Sequence, residues 1–221
     1  MDRVFSKGVA FIFEGATEKV FYLTLLAYFC KNHIGWTLTR EPSAREVFYT
    51  LTSERKSIII KMFTVGTISQ IVNADSWFRN FCHKPHPRIN WTVFLCYDTD
   101  NYVSNITKFF EGDWCELRDS LRKDGASEII DLAAQADIED TLLLDIDGVL
   151  SFLNLPPCEM PTGKKGKVKM KKLFKMRGRG SAYHEGERAK GLIESLNLDV
   201  IIEQSPLNLM KIDDVCFNCD M

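Results

Sequence analysis

With 221 residues, 45% of them hydrophobic and 11% aromatic, the chain has enough material for one substantial core, which excludes an intrinsically disordered polymer. No apolar run reaches the roughly 18–20 residues needed to cross a bilayer, and the start, MDRVFSKGVAFIFEG, has no apolar segment leading to a small-residue cleavage site, so a cytoplasmic protein with no membrane partner is expected. The net charge of −2 hides an uneven distribution: residues 164–179 (KKGKVKMKKLFKMRGR) hold nine of the 28 Lys and Arg and no acid, which leaves 19 basic against 30 acidic residues elsewhere, a net −11. An acidic body with one basic segment suits a protein that gathers carboxylates around a metal and sets cations on a phosphate backbone.

The elements follow in chain order. Val9–Phe13 (VAFIF) is an unbroken apolar run of strand length, ended by Glu14 and Gly15, and Thr17 to Phe29 has helical periodicity through Val20, Phe21, Leu25 and Tyr28. Trp36–Thr39 is a weak strand. Ser43-x-x-Glu46 matches a capping box and predicts a short helix through Val47, Phe48 and Leu51. A strand over Ser57–Phe63, a helix over Thr67–Phe78 and a strand over Trp91–Tyr97 come next, the last ending at Asp98-Thr99-Asp100. A helix near Trp114–Lys123, a short strand near Glu128–Leu132 and a helical stretch Ile138–Leu153 complete the first part. Residues 154–168, with three prolines and two glycines, predict a loop; a helix over Ser181–Leu196 and a final one from Pro206 follow. Strands alternating with helices predict an α/β fold with a mostly parallel sheet and helices on both faces. Residues 1–153 are expected to form the catalytic domain, and 154–221 a basic, loop-rich segment packed on it.

Seven cysteines (30, 82, 96, 115, 158, 216 and 219) are scattered and read as free thiols; Cys216-x-x-Cys219 has no second pair to complete a metal site, and Cys82-His83-x-x-His86 lacks a fourth ligand. The chemistry lies elsewhere. In open parallel sheets, function collects at the carboxyl ends of the strands, and two strong strands here end in acids: one delivers Glu14, the other Asp98 and Asp100. If the strands are neighbours, the carboxylates converge and repel one another until a proton or cation neutralises them. All-oxygen ligation favours Mg²⁺ or Mn²⁺. Glu18, one turn into the helix, either joins as a further ligand or is a solvated first-turn acid.

FIFEGATEKVFY resembles the first motif of the topoisomerase–primase (TOPRIM) fold, and FLCYDTDNY resembles its second, a hydrophobic strand ending in Asp-x-Asp. Glu14-Gly15-Ala16-Thr17-Glu18 is similar to the Glu-Gly-x-Thr-Glu of the stand-alone RloB-like and OLD-type nucleases of bacterial anti-phage, abortive-infection systems. A looser match, ADIEDTLLLDI (136–146), puts Glu139 at that group's third glutamate, with Ala136-Asp137 and Thr141 departing from its Pro-Ser and aromatic positions; read from the residues alone, Glu139 is either a site carboxylate or a helix N-terminal acid after Asp137. The resemblance covers less than a third of the chain. It implies a TOPRIM-like (Rossmann-like) fold and a Mg²⁺- or Mn²⁺-dependent hydrolase. Glu14, Asp98, Asp100 and Glu139 would be catalytic; Glu14, Asp98 and Asp100 would be ligands, with Glu18 and Glu139 for a second metal. It also implies DNA or RNA, tRNA included, as substrate, and a separate ABC/SMC-type ATPase as sensor, since the chain has no G-x-x-x-x-G-K-[ST]. A homodimer is an open expectation.

In the basic segment, Lys164, Lys165, Lys171, Lys172, Lys175, Arg177, Arg179 and Arg188 are expected to grip phosphates, and Tyr183 to stack on a base. The alternative, from a different class, is a TOPRIM-shaped subunit that binds nucleic acid or an ATPase without cutting.

Overall fold

A computed structural model of the chain describes residues 4–42, 46–66, 70, 72–99 and 111–218. Asp100, Ser43 and Cys219 lie outside the described residues, and with them the expected third metal ligand, the head of the expected capping box and the second thiol of the C-terminal pair.

Six strands form one sheet: β1 (Lys7–Phe13), β2 (Thr37–Pro42), β3 (Val47–Thr52), β4 (Ser57–Thr64), β5 (Trp91–Asp98) and β6 (Ala126–Ala134), in the order β2-β3-β4-β1-β5-β6. The pairings from β4 through β1 and β5 to β6 are parallel, and β2 and β3 add an antiparallel edge. The apolar runs that read as strands occupy the centre. β1 is buried over Gly8–Phe13 and β5 over Trp91–Tyr97, because both faces of a parallel sheet are covered.

Alternation along β1 divides the core. Val9, Phe11 and Phe13 face α1 (Ala16–Asn32) and the C-terminal helices, whereas Ala10 and Ile12 face α2 (Val72–Trp77), the π-helical turn Phe78–His83 and α3 (Glu111–Lys123). Phe11 stacks on Phe94 of β5 with ring centroids 4.9 Å apart. α1 lies between the sheet and α7 (Lys190–Ser195) and α9 (Met210–Cys216), which explains its near-continuous apolar run from Val20 to Phe29.

Three expectations are corrected. Residues 47–52 are strand β3, not a helix: Tyr49, Thr50, Leu51 and Thr52 pair on both sides, and tertiary pairing overrides the local capping-box match. The C-terminal third is largely helical rather than loop-rich. After α4 (Ile138–Leu142), a 3₁₀ turn and α5 (Ile146–Leu153), it contains α6 (Gly166–Met176), the 3₁₀ turn Gly186–Ala189, α7, α8 (Leu198–Gln204) and α9. The expected helices at Ser181 and Pro206 start later, at the Gly186 turn and at Met210, and α8 was missed. Met170, Leu173, Leu192, Ile201 and Ile212 of this third share the core cluster of β1 and α1.

Candidate active site

Glu14 follows β1 directly, and its backbone is clamped on both sides. Its N–H donates to Cys96 O at 2.9 Å, continuing the ladder to β5, and its carbonyl accepts from Gly66 N at 2.9 Å. The side chain is buried, and Oε2 accepts from the backbone N–H of Asp98 at 3.3 Å. Glu14 and Asp98 therefore stand together at the carboxyl ends of two adjacent parallel strands, as the sequence led us to expect. Beyond Asp98 the chain is anchored by Thr99, whose N–H donates to Ala134 O and whose Oγ1 accepts from Ala136 N, both at 2.9 Å.

The first turn of α1 forms the floor. Gly15 is its N-cap, and Glu18 folds back so that the N–H groups of Gly15 and of Glu18 itself hydrogen-bond the carboxylate, the Glu half of a capping box. Burial nevertheless outweighs those bonds and pushes Glu18 up to about 7. The solvated first-turn reading of Glu18 is thus excluded, since the residue is 5% exposed.

The third wall is residues 137–140. Asp137 caps α4 and accepts from Asp140 N at 3.0 Å through Oδ1 and from Lys167 N at 3.1 Å through Oδ2. Asp140 accepts from Gly166 N and from Lys169 Nζ, both at 2.8 Å. These two acids pull the N-terminus of α6 against the site and explain Gly166: a Cβ there would lie 2.2 Å from Asp140 N and 2.6 Å from Asp137 Oδ1. Burial raises Asp137 to about 6 and Glu139 to about 7, the latter also through Asp137 and Glu18. Glu139 Oε1 accepts from the Tyr183 hydroxyl at 2.8 Å, a buried contact. Tyr183 is thus corrected from an exposed base-stacking residue to a buried partner of Glu139, its hydroxyl pushed well up by burial and by that carboxylate.

The result is a cleft of about 520 Å³ lined by Glu14, Glu18, Asp98, Asp137 and Glu139, faced by Lys165, Lys167 and Glu185. Lys167 Nζ is 2.6 Å from Glu185 Oε2; burial works against the ammonium, but the pairing prevails and its pKa is raised. Of the expected phosphate-gripping residues, Lys165 lines the cleft, whereas Lys164, Lys171, Lys172, Lys175, Arg177, Arg179 and Arg188 are exposed outside it. Asp137 and Glu185 were missed as site residues, and Lys167 was not singled out from the run. The Asp137 signal was present in its place just before a helix start. Asp145 is buried and accepts from Gly148 N and Asn197 N.

Five buried or part-buried carboxylates around two lysines can bind a cation, hold a proton near neutral pH, or both. Glu14, Asp98 and Glu139 are the oxygen donors available to a metal. Among the described residues, no group of three or more His, Cys, Asp or Glu side chains is arranged to hold an ion.

No protein-family model matches the sequence, and no curated protein matches it. Solved structures similar to the chain include native futalosine hydrolase of Helicobacter pylori strain 26695 (9% identity, TM-score 0.26, over 91% of this chain and 100% of that one) and Helicobacter pylori MTAN (10%, 0.25, 90% and 100%). At such TM-scores the likeness carries no argument about activity. Among the described residues no helix is long and apolar enough to cross a membrane.

Proposed function

We propose that the cleft is the metal-dependent site of a TOPRIM-type phosphodiesterase acting on DNA or RNA. The observation that carries this reading is the junction of β1 and β5, where the buried Glu14 carboxylate accepts from the backbone of Asp98 and both side chains face one cleft. The donor chemistry fits Mg²⁺ or Mn²⁺: among the described residues the lining offers carboxylate oxygens and no thiolate or imidazole. The raised Glu18 and Glu139 fit as well, because a cation would stabilise the carboxylate forms that burial disfavours. Glu14, Asp98 and Asp100 would hold the ion, with Glu139 beside it and Glu18 behind, buttressing the turn.

A divalent ion bound there would polarise a phosphoryl oxygen and lower the pKa of a bound water. The chain's own residues supply the rest. Lys165 and Lys167 draw the phosphate into an otherwise acidic cleft and orient it. Glu139, held by Tyr183, is tuned to accept or return a proton near pH 7. Exposed cations on and after α6 (Lys171, Lys175, Arg177 and Arg179) track the adjoining backbone. A role in anti-phage defence beside a separate ATPase follows from the family resemblance and is proposed with it.

The second reading, a non-catalytic subunit that binds nucleic acid or an ATPase, is favoured by one observation: among the described residues the carboxylates do not form a three-ligand set. Calorimetry with Mn²⁺ and Mg²⁺ separates the two. The phosphodiesterase reading expects binding in the parent that disappears in Glu14→Ala and in Asp98→Ala; a folded parent that binds neither ion would sink it and leave the binding subunit.

A further inference from the structure

A second and larger cavity, about 880 Å³, lies beside the cleft and plays no part in the chemistry above. It is a groove running along α1 between the β2–β3 edge and the α7–α8 corner. Its volume is within the range of ligand sites rather than of packing defects. Leu23, Ala27 and Leu38 give it an apolar floor.

Its charges are ordered. Lys19, Lys31 and Arg40 line the α1 and β2 side, and among the described residues none of the three has a carboxylate partner. The acids on the opposite wall are Glu187, Glu194 and Asp199. Asp199 accepts from the Tyr28 hydroxyl, and Glu194 is 3.7 Å from Lys190. Tyr49 is half-buried between the two walls: it pairs in register with Arg40 across the β2–β3 ladder, and its hydroxyl feels Arg40 and Glu187 with opposite sign. Tyr49 thus lines the same groove as a cation and an acid.

Groove and cleft also share their walls residue by residue. Glu18 lines the cleft and Lys19 the groove; Gly186 lines the cleft and Glu187 the groove. The two elements concerned, the start of α1 and the Gly186–Ala189 turn, are joined by the bond from Gly186 N to Thr17 Oγ1 at 2.9 Å. A chain-like ligand with a phosphate in the cleft would meet the groove next.

The length selects the ligand. Lys19 and Lys31 are twelve residues apart on one helix, which at 1.5 Å per residue separates them by about 18 Å. No single phosphate reaches both, whereas a strand carrying a phosphate at every nucleotide does. A base stacks on Tyr49, phosphates meet Lys19 at one end and Lys31 at the other, and Glu187 accepts from an exocyclic amine or a sugar hydroxyl. Paired bases would bury the faces and edges this arrangement reads.

We propose that the groove along α1 is a binding site for a short run of unpaired nucleotides, so that the strand delivered to the cleft is single-stranded. The inference extends the function proposed above, and it is tested without metal, so that the two can fail separately. A labelled single-stranded oligonucleotide and its duplex are titrated by fluorescence anisotropy in EDTA, with thermal melting as the check of folding.

The single strand is expected to bind more tightly than the duplex. Tyr49→Ala should weaken it about tenfold and Tyr49→Phe hardly at all, as stacking requires. Lys31→Ala, at the far end, should lower the slope of log affinity against log salt by about 0.7. Mononucleotide binding as strong as that of the strand, lost in Tyr49→Ala but unchanged in Lys31→Ala, would replace the strand by a free nucleotide and overturn the length argument. Unchanged binding in a folded Tyr49→Ala variant, equal affinity for duplex, or no strand binding at all would overturn the site, whatever Mn²⁺ binding shows.

Discussion

The carboxylate wall and the basic segment face each other across the cleft, yet they are held in opposite ways. Glu14, Glu18, Asp137 and Glu139 are each at most 5% exposed and are fixed by backbone N–H groups, a tyrosine hydroxyl or a helix cap. The basic segment is divided. Its first turn is drawn in by Asp137 and Asp140, which brings Lys165 and Lys167 to the cleft, while Lys171, Lys175, Arg177 and Arg179 stay in solvent. Buried acids cost stability, whereas exposed cations cost little and leave the fold indifferent to them. That difference can be broken or sharpened by experiment.

The largest effect should come from pH. Glu18 and Glu139 are raised from 4.5 to about 7, and Asp137 from 3.8 to about 6, chiefly by burial. Between those limits the folded chain holds more protons than the unfolded one, so its stability is greatest below about pH 4.5, falls as pH rises through the window, and levels off above about 7. Part of the decline belongs to Glu139 alone. Glu139→Gln should flatten it by on the order of 2 kcal/mol between pH 5 and 7.5, read from urea midpoints in EDTA. Equal slopes in parent and variant would mean that the carboxyl is not strained by its burial. Added Mn²⁺ at pH 7.5 should restore stability to the parent if the proposed site is real.

Next in size is the joint between the two regions. In Gly166→Ala the new methyl meets backbone at Asp140 N and Glu139 C, neither of which yields as a flexible side chain would. We expect a loss of about 2 kcal/mol, with α6 displaced and Lys165 and Lys167 withdrawn from the cleft. A variant as stable as the parent, with hydrogen exchange unchanged over residues 137–140 and 166–169, would show that the contact is looser than the structure has it.

Legibility in the sequence followed the same division. The run VAFIF before Glu14-Gly15 and WTVFLCY before Asp98 placed the central strands and their carboxylates, because a strand buried on both faces is apolar without alternation and its end is abrupt. Two neighbouring patterns misled. Ser43-x-x-Glu46 satisfied a local helix signature, while the aromatic and β-branched content of VFYTLT, the better guide, pointed to the strand that formed. The lysines of residues 164–175 drew attention to charge and away from Gly166, Met170 and Leu173, whose i, i+4, i+7 spacing is the buried stripe of α6. The bond from Tyr183 to Glu139 joins residues 44 apart and has no local signal. No periodicity would have moved that tyrosine from surface to interior.

The smallest effect on the fold should come from the exposed cations, and there the comparison is sharpest. Lys171, Lys175, Arg177 and Arg179 are exposed on and after α6. Replacing Lys171 or Lys175 with Ala leaves no cavity, cap or buried partner behind, and the helix propensity of Ala is no worse than that of Lys. Each change should move the urea midpoint by no more than about 0.5 kcal/mol equivalent. If these cations contact phosphates, each should also weaken nucleic-acid binding to a similar extent for every sequence and lower the salt slope by roughly 1 on a duplex. A variant that loses affinity only for particular sequences would place the side chain against a base instead. One that loses stability without losing affinity would return the basic segment to a structural role and leave Lys165 and Lys167 as the cations that matter.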